Sequence, residues 1–230
     1  MARRARSILV GLALLLVVST PCWGQDVIVE SVAARDRRDP GSSFLQLPST
    51  APYRDPTDWR AIPPWRQTSF FGTRAEGTMF VFVIDCSGSM ADARRWLRVR
   101  RELRKTLRSL EFPQRYMVIF YNDQAWAMPG GVPASAGHSA ATRTLAWIGR
   151  ITPEGPTEPR EAMSLALGFR PSAVYLLSDG EYPEGSAEAI ARTNTRETPI
   201  HCIDLSGRAA SRSLKQIASD SGGVYAAVSQ

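Results

Sequence analysis

Asp85, Ser87 and Ser89 stand on alternate residues just after an unbroken apolar run at 80–84, and a second acid, Asp179, closely follows another such run at 173–177. Thr157 lies between them in a loop of Gly and Pro. Two carboxylates and three hydroxyls are hard oxygen donors, the shell that Mg²⁺ prefers. No His or thiolate cluster accompanies them, which argues against zinc. If the two strands are neighbours, a spacing of ~4.8 Å brings the acids close enough to repel, and something positive must sit between them. Taken singly, each residue has a plainer role: Ser87, Gly88 and Ser89 as turn and capping residues, Thr157 as a helix cap, Asp179 and Gly180 as a turn. An acid on one strand tip, hydroxyls two and four residues on, a loop Thr and an acid on a second tip form a pattern that those separate roles do not explain together.

The elements around these residues must deliver them to one place. The runs at 80–84, 116–121 and 173–177 are apolar without alternation, as strands covered on both faces are. Periodicity of three to four predicts helices over 92–110, 140–151, about 158–168, 186–196 and 211–219. Strands are expected at 199–205 and 224–227, with a short antiparallel edge strand at 124–128 after the Asn122-Asp123 turn. Residues 129–138 read as a loop, and 68–72 as a short additional strand. Strands alternating with helices give a doubly wound α/β domain with a mostly parallel sheet, and such folds hold ligands at the carboxyl edge of the strands.

The first 24 residues have the composition of an export signal: Arg3, Arg4 and Arg6, eleven apolar residues from Ile8 to Val18, then Pro21 and Gly24. An uncleaved anchor stretched through Trp23 is the alternative, and it is the only route by which a membrane enters the reading. Residues 25–69 are read as a Pro-rich tether and 70–230 as the globular domain. The formal net charge of +6 falls to +3 without the three leader arginines, too weak and dispersed a charge for nucleic acid. The helix at 92–110 does carry eight bases, a face that would suit an acidic surface, although a solvated helix exterior is the plainer reading.

The pattern Asp85-x-Ser87-x-Ser89, Thr157 in its loop, and Ser178-Asp179-Gly180 after an apolar strand resembles the von Willebrand factor type A (vWA) domain and its metal-ion-dependent adhesion site (MIDAS). The resemblance covers roughly residues 77–228, including the final helix and the strand after Gly222-Gly223. It implies strand order 3-2-1-4-5-6 with the third strand antiparallel, and a metal set of Asp85, Ser87, Ser89, Thr157 and Asp179. It also implies a divalent ion, Mg²⁺ or else Mn²⁺ or Ca²⁺, whose shell is completed by a carboxylate of a protein partner. Two residues depart from the family's pattern: Pro156 stands where a second glycine is usual, and Glu158 adds an acid beside the loop. That strand order would separate Cys86 and Cys202 by about 10 Å, beyond the roughly 7 Å between Cα atoms that a disulfide allows, so two buried thiols are expected.

The function expected is that of an exported, non-catalytic binding module, periplasmic, at the cell surface or extracellular. A metal-dependent hydrolase, using Ser87 or Ser89 as nucleophile or the ion to activate water, is the first alternative, although His138 and His201 are poorly placed as a base for serine chemistry and the G-x-S-x-G elbow is missing. A metal-free scaffold is the second. Asp85 and Asp179 pointing to different ends of the molecule, or an arginine filling the space between them, would remove the basis for the adhesion reading.

Overall fold

A computed structural model describes residues 57–180, 182–207 and 211–228; the leader and most of the expected tether lie outside them. The first elements among the described residues are a 3₁₀ turn, Pro64–Arg66, and an antiparallel hairpin of β1 (Gln67–Phe70) and β2 (Thr73–Glu76). It continues through β3 (Met79–Asp85), α1 (Ala93–Ser109), β4 (Arg115–Tyr121), β5 (Ala125–Ala127) and β6 (Ala134–Ser135). The remaining elements are α2 (His138–Ile148), α3 (Arg160–Gly168), β7 (Ala173–Ser178), α4 (Ser186–Thr193), β8 (Ile200–Asp204), α5 (Arg212–Asp220) and β9 (Tyr225–Ala227).

The main sheet runs β5-β4-β3-β7-β8-β9. This is the expected 3-2-1-4-5-6 order, with β5 antiparallel to β4 and the β4, β3, β7, β8 and β9 neighbours parallel. Every residue of β7 and all of β3 after Met79 is buried, because helices cover both faces of the sheet. That is why these strands read as continuous apolar runs rather than as alternating ones.

Three details differ from the sequence reading, the first being that the single strand expected at 68–72 is a hairpin of β1 and β2 that turns at Phe71-Gly72. The expected loop at 129–138 contains β6, which adds to the start of β4. The hairpin begins at Gln67, ahead of the boundary drawn at residue 70, and is built into the domain: Phe70 is wholly buried, edge-on to Phe82 at 5.2 Å and to Tyr175 at 5.7 Å. Gln114 Nε2 donates to Gln67 O (2.8 Å) and Thr106 Oγ1 to Ser69 O (2.8 Å), tying both ends of β1 to the body. Burying one such aromatic side chain stabilises by about 1.5–3 kcal/mol. Cys86 and Cys202 are buried free thiols on either side of β7, as expected from the strand order.

Candidate metal centre

Parallel pairing of β3 with β7 places Ile84 beside Leu177, so Asp85 and Ser178 are level at the strand tips and Asp179 lies one residue beyond. The chain after Asp85 turns at once into a 3₁₀ segment, Gly88–Ala91, and then into α1. Asp92 caps α1, accepting from the backbone N–H groups of Arg94 (3.0 Å) and Arg95 (2.9 Å). This satisfies helix donors that have no partner within the helix. It also fixes where the first turn of α1 stands over the strand tips.

Four of the five expected ligands form one hydrogen-bonded cluster. Asp85 Oδ1 accepts from Ser87 N at 2.8 Å, and Asp85 Oδ2 from Ser178 Oγ at 2.7 Å. The Ser87 and Ser89 hydroxyls are 3.0 Å apart, and Ser89 Oγ donates to Asp179 Oδ1 at 2.7 Å. The fifth, Thr157, is half-buried and makes no hydrogen bond to the other four. Its loop nevertheless lies against the cluster's own turn: Gly88 N donates to Gly155 O, and Glu154 N to Cys86 O, both at 2.8 Å. Asn122, at the tip of β4, clamps the same loop by donating Nδ2 to Glu154 O (2.9 Å) and accepting at its carbonyl from Glu158 N (2.7 Å). Gly155 has φ +81°, and a Cβ there would come within 2.9 Å of Asn122 Nδ2, so only glycine lets the loop approach this closely. Glu158 is engaged by Arg160 through two short bonds, at 2.7 and 2.6 Å, rather than by the cluster.

Asp85 is wholly buried and has no cationic partner among the described residues. Burial drives its carboxyl pKa from 3.8 up to about 6; its hydrogen bonds to Ser87 and Ser178 oppose the rise, and the Asp179 charge adds to it. Nearby, Tyr121 and Tyr182 hold their hydroxyls 2.8 Å apart, and desolvation pushes both phenols well above their usual range. These neighbours are neutral and offer the carboxylate no countercharge. Cys86 is likewise inert, its thiol pushed up to about 12 by burial.

The residue that sequence reasoning missed is Arg95. Its guanidinium donates to Asp179 Oδ2 and, at 2.7 Å, to the carbonyl of Ser89. It neutralises the outer acid but makes no ion pair with Asp85, so it does not bridge the two carboxylates, and Asp85 has no cationic partner among the described residues. Ser178 was also missed as a partner of Asp85, and its signal was its place directly ahead of Asp179. The donor set nonetheless fits a hard divalent ion, because a buried uncompensated carboxylate, two neutral hydroxyls and a second carboxylate adjoin one another. Asp204, at the tip of β8, is fully employed within its own turn, accepting from Ser206 N, Ser211 N and the Tyr225 hydroxyl.

No protein-family profile matches the chain, and no curated protein does. Solved structures do. A von Willebrand factor type A protein from Catenulispora acidiphila superposes with a TM-score of 0.61 at 17% identity, covering 69% of this chain and 41% of that one. An aerotolerance-related membrane protein from Bacteroides fragilis gives 0.51 at 18% identity, over 67% of this chain and 92% of that one. Proximal thread matrix protein 1 from the mussel byssus, with a zinc-occupied MIDAS motif, gives 0.52 at 19%, over 67% and 42%. The chain thus spans less than half the length of the first of these and of the mussel protein. With sheet order, strand directions and flanking helices in agreement, the domain has the von Willebrand factor type A fold.

Proposed function

We propose that this is an exported, non-catalytic binding module in which Asp85, Ser87, Ser89, Thr157 and Asp179 hold a divalent cation of the MIDAS type. Mg²⁺ is the first choice on donor chemistry, and the zinc-occupied motif of the mussel protein is a precedent for a divalent ion in this fold. The observation that carries the reading is Asp85: a wholly buried carboxylate without a countercharge, set against the hydroxyls of Ser87 and Ser89. A bound cation would supply a Lewis-acidic position for a carboxylate of a protein partner. Around it, Ser178 and the Ser87 backbone hold Asp85 in place, while the Asn122 clamp presents the Thr157 loop. Arg95 and Ser89 already occupy both oxygens of Asp179, so an incoming ion competes with the guanidinium at that carboxylate.

A hydrolase with Ser87 or Ser89 as nucleophile is disfavoured by where the histidines lie. His201 is mid-strand and accepts from Val224 N through Nδ1, at 3.1 Å. His138 begins α2 just after β6, which pairs with the start of β4, the edge opposite the cluster. Neither is placed to serve as a base for Ser87 or Ser89. The Arg95–Asp179 pair favours one second reading, a metal-free scaffold whose outer acid is neutralised internally. Among the described residues no helix is long and apolar enough to cross a membrane. Titration calorimetry of the purified protein with Mg²⁺ and Mn²⁺ separates the two readings. Saturable heat at one ion per chain, lost in Asp179→Ala, is expected; a folded wild-type protein that takes up neither ion would establish the scaffold.

A further inference from the structure

The net positive charge of this chain resides in one helix. α1 carries eight bases and one acid, against twenty bases and twenty-one acids elsewhere in the sequence. The buried residues Trp96, Val99, Leu103, Thr106 and Leu107 fix one side of α1 on the body of the domain. The opposite side then presents Arg94, Arg98, Arg101, Lys105 and Arg108, at i, i+4, i+7, i+11 and i+14, with exposed Arg104 alongside. Arg94, Arg101, Arg104, Lys105 and Arg108 make no side-chain ion pair among the described residues. Arg98 lies over the Phe71 ring, 5.8 Å from its centroid; the like charges along this side repel one another.

We propose that this stripe is a docking surface for an acidic polypeptide segment. Charge complementarity selects the occupant, and the prevalence of arginine sharpens it, since a guanidinium binds a carboxylate through two parallel hydrogen bonds where an ammonium offers a point charge. The spacing also suits a polypeptide: one helical turn advances ~5.4 Å, close to the ~6.6–6.8 Å between same-side residues of an extended chain. From Arg94 to Arg108 the stripe is about 21 Å long, room for three or four such carboxylates. A membrane surface fits less well. The large apolar residues of α1 other than exposed Leu97 face the core, so the helix has no apolar face to insert among lipids. The chain's own residues 25–56 do not supply the partner, for they hold five acids and four bases.

The stripe begins at the end of α1 that lies by the candidate metal centre, because Arg95 in the helix's first turn holds Asp179. An acidic segment seated on α1 would therefore bring its leading carboxylate to that centre; this second half rests on the function proposed above, whereas the stripe does not.

The test is fluorescence anisotropy of a labelled ten-residue oligoglutamate with the purified full-length chain, in chelator and again in Mg²⁺. A triple reversal, R101E/R104E/K105E, keeps good helix formers at exposed positions, and circular dichroism verifies the fold. Losing three exposed pairs and adding three repulsions should weaken binding roughly 30-fold or more in chelator. Binding in wild type should also fall steeply with added salt. A further gain in Mg²⁺ supports both halves. Binding in chelator that Mg²⁺ leaves unchanged supports the stripe and overturns the delivery of a carboxylate to the metal. Equal binding by wild type and the triple variant, or no binding by either, overturns the stripe. Stripe-dependent capture of phosphatidylglycerol vesicles without oligoglutamate binding overturns the proposal in favour of a membrane.

Discussion

Replacing Asp85 with Asn should stabilise the ion-free protein at neutral pH, although Asp85 is the central residue of the cluster. The wild-type carboxyl is wholly buried, and its pKa stands at about 6 against 3.8 for an exposed aspartate. At 1.36 kcal/mol per unit, keeping it ionised in the fold at pH 8 costs about 3 kcal/mol. Asn retains an acceptor for the Ser87 backbone N–H and can donate to Ser178 Oγ, which reverses its role. The raised pKa already includes those bonds to the charged form, so the net gain is about 3 kcal/mol. For a chain of this length that is about 6–12 °C in Tm. Because the folded pKa is the raised one, the penalty is absent below about pH 3, where the group is protonated folded and unfolded alike. It grows as pH rises towards 6 and is constant above. Thermal unfolding in chelator should therefore show the Asn variant ahead at pH 8 and level at about pH 3. Adding Mg²⁺ should raise the wild type and leave the variant where it was. An Asn variant less stable than wild type in chelator at pH 8, or a gap of the same size at both pH values, would refute the picture of an uncompensated buried charge.

Two further outcomes follow from the same geometry. Arg95→Gln removes both a competitor for Asp179 and a positive charge beside the ion, so Mn²⁺ affinity should rise about tenfold, equivalent to about 1.4 kcal/mol, by calorimetry; unchanged or weaker affinity would show that the guanidinium does not compete. Phe70→Ala, which empties a wholly buried site between Phe82 and Tyr175, should cost about 3–5 kcal/mol. Denaturant unfolding would measure this, and a loss under 1 kcal/mol would mean that the hairpin is not part of the cooperative unit.

The amino-acid sequence alone determined the sheet and its edge. An apolar run covered on both faces has a local signature, and an acid at its end places that acid at the strand tip whatever the rest of the chain does. So β3, β4 and β7 and the meeting of Asp85, Ser87, Ser89 and Asp179 at the strand tips were legible, and the strand order, with the separation of Cys86 from Cys202 that follows from it, was legible with help from the family resemblance. Only the tertiary structure decided how those residues are partnered. Ser178 meets Asp85 across 93 residues, and Arg95 meets Asp179 across 84. The second contact depends on the azimuth at which α1 packs and on the cap that sets its first turn. In the sequence Arg95 is one of eight bases on a helix, with nothing local to single it out. The hairpin was only half legible for a similar reason: Phe70 owes its burial to Phe82 and Tyr175, partners far along the chain that no local pattern reveals.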